Sequence, residues 1–400
     1  MNAFKKLYSR TYQGVFKMAI PLMPYRIPEV KKSVNSIPQI LINHKLSHPL
    51  LVTDKSIYSL GLTKELENSL KVSNFNFTVF DETVPNPTIS CIEKAVEIYK
   101  VNNCDSIIAF GGGSVMDCAK IVGARIVKPN KSIDKMKGLL KICKKIPLLI
   151  AIPTTAGTGS ETTLAAVITD DKTHHKYPIN DFCLIPKYAI LDYKNTIGLP
   201  PHITSTTGMD ALTHAVEAYI GGSTTRKTRD MSIKAVRLIA NNLKTAYDDG
   251  KNPTARENML LASFYAGVAF TVSYVGYVHA VAHSLGGKYG VPHGLANAII
   301  LPHFLDTYGK KIDKKLSRLA KLSGIASESD STSTSANKFR EWVKDMNKHM
   351  NIPSFIEQLK EEDIPELARL ADSEANPLYP VPVLMDRKEL EYMYHKLLRP

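Results

Sequence analysis

Asp and His side chains recur at spacings that could hold one metal ion. Asp210 and His214 lie four residues apart, which places both on one face of a helix. Alone, such a pair is more often a helix-capping Asp and a packed His. Three further histidines, His279, His283 and His293, follow in one short segment. An aspartate with three histidines offers the nitrogen and oxygen ligands that suit iron(II) or zinc(II), whereas calcium prefers oxygen and copper(I) prefers sulfur.

Such an ion predicts a defined chemistry. With four protein ligands, a further coordination position must open for a substrate oxygen. There the cation acts as a Lewis acid that stabilises an alkoxide, so that hydride can leave the adjacent carbon for NAD⁺. The five cysteines are widely spaced and include no C-x-x-C pair, which argues against structural zinc and against a disulfide framework, and favours a reducing compartment.

A glycine-rich turn follows an apolar run in the first half of the chain. Phe110-Gly-Gly-Gly-Ser114 leads into a helical segment at 115–120, an arrangement in which backbone N–H groups can approach a pyrophosphate. The turn does not match G-x-G-x-x-G, and a turn that merely needs glycine looks similar. By itself it leaves dinucleotide binding open.

A second loop and an acidic strand end favour dinucleotide binding. Residues 153–161 form a turn-rich stretch after another apolar run, and hydroxyls such as those of Thr154 and Thr155 can hold phosphate or the nicotinamide amide. Asp54 closes an earlier strand, where a carboxylate accepts hydrogen bonds from a ribose and repels a 2′-phosphate, which favours NAD over NADP. A turn-forming Asp is the alternative interpretation.

The elements that must position these residues divide the chain in two. Strands are predicted at 49–53, 75–80, 105–110, 147–152 and 188–191, and helices at 63–71, 88–102, 211–220, 228–247, 254–270 and 278–285. Strands that alternate with helices predict a parallel sheet covered on both faces. We therefore expect an α/β dinucleotide-binding domain over 1–200 and an all-α metal-binding and catalytic domain over 201–400, with a surface loop at 327–335.

Composition limits the partners. The 400 residues are 44% hydrophobic and 22% charged, enough for two cores, and 51 Lys and Arg stand against 38 Asp and Glu. The basic residues are scattered without aromatic interleaving, so we expect no nucleic-acid partner. No apolar run has the length of a membrane span, so we expect no membrane partner either.

The first seventeen residues are basic and contain no acid. We interpret residues 1–17 as a flexible N-terminal extension. An organellar transit peptide is the alternative, which the shortage of Ser and Arg disfavours. The expected location is the cytoplasm.

Three motifs resemble those of the iron-containing (group III) alcohol dehydrogenase family. They are Pro153-Thr-Thr-Ala-Gly-Thr-Gly-Ser-Glu-Thr162, Gly208-Met-Asp-Ala-Leu-Thr-His214 and His279-Ala-Val-Ala-His-Ser-Leu-Gly-Gly-Lys-Tyr-Gly-Val-Pro-His293. The resemblance covers the chain from about Asp54 to the C-terminal helices. It implies the dehydroquinate synthase-like architecture, with a dinucleotide-binding α/β domain, a helical metal domain, a cleft between them and a homodimer.

The resemblance also implies roles for individual residues. The metal ligands fall on Asp210, His214, His279 and His293, and an additional histidine near the nicotinamide and substrate falls on His283. The catalytic residues are then His283, Asp210 and His279. The cofactor residues fall on Asp54, Asn86, Gly112, Gly113, Ser114, Thr154, Thr155, Thr163 and Lys176.

The predicted function is the interconversion of a small primary alcohol or diol and its aldehyde with NAD(H), with iron(II) as the metal and zinc(II) as the other chemical option. Ser284 and Tyr193 depart from the family pattern, where proline is common. Neither is a ligand, so the departures bear on substrate and not on reaction class. A glycerol or polyol dehydrogenase and a maleylacetate reductase remain alternatives within the same superfamily.

Overall fold

The computed structural model describes residue 1, residues 3–173 and residues 175–399. These residues form two compact units, one of Pro24–Gly198 and one of Met1–Met23 with Leu199–Pro400. The boundary at 198/199 lies beside the predicted one. The first 23 residues, however, join the helical unit, whereas the sequence analysis assigned them to the α/β domain.

Pro24–Gly198 is the α/β unit. Its strands are β1 (Glu29–Lys31), β2 (Pro49–Val52), β3 (Thr78–Phe80), β4 (Ser106–Gly111), β5 (Gly138–Leu139), β6 (Leu148–Pro153), β7 (Ala165–Thr169), β8 (Lys176–Asn180) and β9 (Tyr188–Ile190). Its helices, numbered after the N-terminal helix α1 (Ala3–Ala19) of the other unit, are α2 (Ile37–Asn43), α3 (Lys55–Ser59), α4 (Lys64–Val72), α5 (Ile89–Val101) and α6 (Gly113–Val127).

Six strands form one parallel sheet in the order β1-β9-β6-β4-β2-β3. Successive residues of the central strands point to opposite faces, so Ile107 packs in one hydrophobic core and Ile108 in another. A sheet with an apolar core on each face must be covered on both sides, as the sequence pattern predicted. The arrangement brings the carboxyl ends of β2, β4 and β6 to one edge of the sheet.

Leu199–Pro400 contains no strand among its described residues. Its helices are α7 (Pro201–Ile220), α8 (Arg226–Asp248), α9 (Pro253–Ser273), α10 (Tyr277–Tyr289), α11 (His293–Tyr308), α12 (Asp313–Leu322), α13 (Thr332–His349), α14 (Ile364–Ala375) and α15 (Arg387–His395). Within the described ranges no single helix is long and apolar enough to cross a membrane; only α9 and α10 taken together, bent by 101° at their junction, meet that length and composition.

The N-terminal segment differs from the flexible extension that was predicted for 1–17. Apart from Asn2, which lies outside the described residues, most of it is helix α1. Arg10 and Gln13 donate hydrogen bonds of 2.7 Å to the carbonyls of Val381 and Tyr379, respectively. Polar side chains thus anchor this helix, while large apolar ones such as Phe4 remain exposed. A hydrophobic pattern in the sequence does not reveal a helix that is anchored through polar side chains.

Two further predictions differ from the structure. The strands β7 and β8, an antiparallel pair in a separate three-stranded sheet with β5, were not predicted, because they are short and Pro178 interrupts the second one. The predicted loop at 327–335 ends at Ser331, which caps α13 by accepting a hydrogen bond from the Thr334 backbone. The Ser and Thr residues after it are the first turn of that helix.

Candidate metal centre and nucleotide-binding loops

One face of α7 carries three ionisable side chains. Asp210, His214 and Glu217 follow at intervals of four and three residues, and each is at most 5% exposed. Because α7 begins at Pro201, Asp210 lies in the middle of the helix and does not cap it. The interpretation of Asp210 as a helix-capping residue, which the spacing alone left open, is therefore wrong.

Glu217 holds the start of α10 in place. Its two oxygens accept the backbone N–H groups of Gly276 and Val278, at 2.8 and 2.9 Å. Oε2 also lies 2.6 Å from Nδ1 of His279. Burial raises the pKa of this carboxyl to about 7, and the two backbone donors oppose that rise. A carboxylate in this position keeps the proton of His279 on Nδ1 and leaves Nε2 as the ligand atom.

His293 is the first residue of α11, directly after Pro292. Its Nε2 lies 3.5 Å from Oδ1 of Asp210. The amide nitrogen of Asn297, one turn later, donates to the same Oδ1 at 2.7 Å and lies 3.1 Å from Nε2 of His293. Asn297 is fully buried, so it orients the aspartate from inside the helical unit.

The four predicted ligands converge. One ligand atom from each of Asp210, His214, His279 and His293 lies within 4.8 Å of all the others. Nε2 of His279 is buried and has no hydrogen-bond partner among the described residues. Burial and the neighbouring histidines hold the pKa of His279 well below its usual range, so the ring is neutral, the form that binds metal. A buried lone pair directed into an Asp and His cluster fits a divalent cation.

His283 lies beside this cluster and is not one of its members. Its ring stacks on that of His293, with centroids 5.2 Å apart. Its side chain is 42% exposed, similar to the 36% of His293, whereas those of His279 and Asp210 are 3% and 2% exposed. Nδ1 of His283 lies 2.6 Å from Oε1 of Glu374. His283 is therefore a neighbour of the four converging side chains, and its role near the nicotinamide and substrate stays a prediction.

In the α/β unit, the two predicted phosphate loops lie side by side. Gly112 caps the N-terminus of α6, and the Thr154 backbone donates to the carbonyl of Gly111 at 3.1 Å. A Cβ atom on Gly113 would lie 3.1 Å from the Thr158 methyl carbon. The glycines are thus needed for the close approach of the two loops. They expose the first backbone N–H groups of α6 beside the Thr-rich loop.

Four other predicted cofactor residues lie in two places of the α/β unit. Asp54 caps α3 by accepting from the Ile57 backbone at 2.9 Å. Asn86 accepts from Lys176 Nζ at 2.5 Å, and its backbone donates to Ser114 Oγ at 3.3 Å, so these three predicted residues form one cluster. Their binding roles remain predictions.

Thr163 belongs to an interior network instead of a surface loop. Its hydroxyl accepts from Nζ of Lys120 at 2.8 Å, and the same ammonium donates to the carbonyl oxygens of Ser160 and Ala165 and to the Ser160 hydroxyl. Lys120 is fully buried. The sequence analysis did not single it out, although a lysine inside an otherwise apolar helix pattern is the signal that could have done so.

Comparison with known proteins identifies the family. The model of "Iron-containing alcohol dehydrogenase" matches residues 24–193, and that of "Fe-containing alcohol dehydrogenase family, C-terminal" matches residues 204–398. The chain belongs to the iron-containing alcohol dehydrogenase family. The resemblance read from the three motifs and the predicted fold class are both confirmed.

Members of the iron-containing alcohol dehydrogenase family match most of the chain. Alcohol dehydrogenase 4 of Schizosaccharomyces pombe is 39% identical over 296 residues, 73% of this chain and 70% of the relative. The 1,3-propanediol dehydrogenase of Klebsiella pneumoniae is 35% identical over 366 residues, 90% of this chain and 94% of the relative. A crystal structure of a 1,3-propanediol oxidoreductase superposes with a TM-score of 0.89 at 32% identity, covering 94% of this chain and 98% of that one.

Proposed function

We propose that this dehydrogenase interconverts a small primary alcohol or diol and the corresponding aldehyde with NAD(H), using iron(II) bound by Asp210, His214, His279 and His293. The observation that carries the proposal is the convergence of these four side chains around a buried, unpartnered nitrogen of His279. Bound there, a divalent ion supplies a Lewis acid for the substrate oxygen.

The chain's own groups account for the rest of the chemistry. Glu217 and Asn297 hold His279 and Asp210 in position, so that little reorganisation is needed when the ion binds. Oxidation of an alcohol releases a hydride to NAD⁺ and one proton. His283, next to the ligand set and partly exposed, is placed to take that proton.

The cofactor assignment rests on the α/β unit. The N-terminus of α6 and the adjacent Thr-rich loop support binding of a pyrophosphate. A sulfoacetaldehyde reductase from Bifidobacterium kashiwanohense, which was crystallised in complex with NAD⁺, is 29% identical to this chain. Its structure superposes with a TM-score of 0.83 over 94% of this chain and 99% of that one. Asp54 at the end of β2 favours NAD over NADP through its charge. We further propose a cytoplasmic location and a homodimer; light scattering of the purified enzyme tests the homodimer.

The substrate proposal draws on the relatives. Those that match most of this chain carry the names of 1,3-propanediol and methanol dehydrogenases and of a lactaldehyde reductase. Small neutral alcohols and diols are therefore the first substrates to test. Glycerol and maleylacetate represent the two alternatives within the superfamily.

Metal analysis combined with initial rates tests the proposal. The purified protein is stripped with a chelator, reconstituted with iron(II) or zinc(II), and assayed with NAD⁺ or NADP⁺ on short primary alcohols, 1,2- and 1,3-diols and glycerol, and in reverse on their aldehydes and maleylacetate. We expect turnover that depends on the metal, is higher with iron, and is fastest on a primary alcohol or diol. Full activity of the stripped protein would contradict the proposal.

A further inference from the structure

Two histidines of α10, His279 and His283, have the same kind of partner. Nδ1 of His279 lies 2.6 Å from a carboxylate oxygen of Glu217, and Nδ1 of His283 lies 2.6 Å from a carboxylate oxygen of Glu374. At these short distances both contacts are hydrogen bonds between an imidazole and a carboxyl group. The first pair belongs to the metal centre, but nothing in the metal chemistry requires the second.

Glu374 is itself held in position by its helix and by a tyrosine. It lies in the last turn of α14, which packs against α10. Oε1, the oxygen that faces His283, also accepts a hydrogen bond of 2.6 Å from the hydroxyl of Tyr379. Tyr379 is only 7% exposed, and its carbonyl accepts from Gln13 of α1. The carboxylate is therefore fixed by contacts that do not depend on substrate.

The charge of Glu374 suits this role. Burial raises the pKa of this carboxyl, but the charges of His283 and His293 in their protonated forms, together with the hydrogen bonds from His283 and Tyr379, outweigh burial and leave the pKa below its ordinary value. The group is ionised at neutral pH and can only accept hydrogen bonds. The proton of the neutral His283 ring must then sit on Nδ1, so that Nε2 is the ring nitrogen that can accept a further proton.

We infer that Glu374 is a positioning residue for proton transfer, which fixes the orientation and the tautomer of His283 so that Nε2 accepts the proton released when the alcohol is oxidised. The step is balanced: the C–H bond gives its hydride to NAD⁺, the hydroxyl gives its proton to His283, and the aldehyde and NADH are formed. The inference rests on the proposed function. It adds a residue that none of the three family-like motifs contains.

Kinetics of three variants test the inference in the iron-loaded enzyme. Glu374→Gln keeps the shape and removes the charge, and Glu374→Ala removes both. Glu366→Gln is the matched control, because it removes an exposed carboxylate from the same helix, where it pairs with Arg369. Iron content and melting temperature are measured for each variant. We expect both Glu374 variants to lower kcat by about 10- to 100-fold with KM within about threefold and iron content unchanged, and the control to retain wild-type kcat.

Chemical rescue distinguishes positioning from a general effect on structure. Formate should enter the space vacated in Glu374→Ala and raise its kcat at least severalfold in a saturable manner, while leaving Glu374→Gln and the wild type unchanged. Loss of iron in parallel with activity, a rise in KM at constant kcat, or no rescue of a folded Glu374→Ala enzyme would each overturn the inference. Wild-type turnover in the same assay tests the proposed function separately, because its absence leaves no rate for the variants to change.

Discussion

Nδ1 of His279 and Oε2 of Glu217 form a hydrogen bond of 2.6 Å, and the same carboxyl group accepts two backbone N–H groups from the start of α10. One buried acid on α7 thus sets both the tautomer of a metal ligand and the position of the helix that carries it. Metal affinity and the packing of α7 against α10 are therefore coupled through Glu217.

Replacing Glu217 by Gln should weaken metal binding more than it weakens the fold. The amide presents one donor where three donors now converge, so it must oppose either His279 or a backbone N–H. We expect about 10- to 100-fold weaker iron retention, measured by metal analysis after dialysis against graded chelator. Excess iron(II) should restore much of the activity. Glu341→Gln is the control, because Glu341 is an exposed residue of α13. Equal iron retention in the two variants would contradict the prediction.

Gly294 is required where α11 approaches α7. A Cβ atom at this position would lie 2.6 Å from the carbonyl oxygen of Thr206 and 3.5 Å from Cβ of Asp210. Gly294→Ala should push the two helices apart, lower the melting temperature and reduce iron content. Gly287→Ala is the matched control in α10, since nothing lies within 4 Å of its added Cβ, and it should stabilise the helix by up to about 1 kcal/mol. Similar melting temperatures for the two variants would refute this account.

The charge of Asp54 can be tested without disturbing its capping role. Asparagine caps a helix as well as aspartate does, so Asp54→Asn should keep the hydrogen bond to the Ile57 backbone and leave stability unchanged. Removing the charge should lower the preference for NAD⁺ over NADP⁺, as the ratio of kcat/KM values, by about 10-fold or more. An unchanged ratio would assign Asp54 to capping alone.

Lys120 should matter more for stability than an interior lysine usually does. Lys120→Met removes the donor that four acceptors share, two of them carbonyl oxygens in the 160–165 segment, and three of these four contacts are buried. We expect the free energy of unfolding to fall by about 3 kcal/mol or more and KM for NAD⁺ to rise, because the neighbouring Thr-rich loop loses its anchor. Lys100→Met at the exposed end of α5 should change stability by less than about 0.5 kcal/mol. Urea denaturation followed by far-UV circular dichroism measures both.

Glu161 predicts a dependence of stability on pH. Burial raises the pKa of this carboxyl to about 7, so between its ordinary value of 4.5 and about pH 7 the folded protein holds a proton that the unfolded chain releases. The contribution of Glu161 to stability should therefore fall as pH rises through this window. Glu161→Gln removes the group, and the wild-type stability minus that of the variant should decline from pH 4.5 to 7. A difference that is constant across these pH values would contradict the assignment.

Local patterns predicted much of this structure, and the remainder depends on distant contacts. The i, i+4 spacing of Asp210 and His214 and the strand ahead of Gly111 are encoded in neighbouring residues, so a candidate pair of ligands and the parallel sheet could be predicted from local pattern, whereas the full ligand set was implied by the resemblance to a known family. Glu217 had a signal that was missed, since it lies seven residues after Asp210 on the same helical face. Glu374 had none, because 91 residues separate it from His283 and only packing of α14 on α10 brings them together.

The docking of α1 has a consequence for how the polypeptide is made. Gln13 emerges from the ribosome 366 residues before Tyr379, whose carbonyl it binds. At about 5–20 residues per second, the helix waits roughly 20 to 70 s for its partner. During translation the whole α/β unit can fold before the helical unit is complete. Docking of α1 is therefore a late event in the synthesis of this chain.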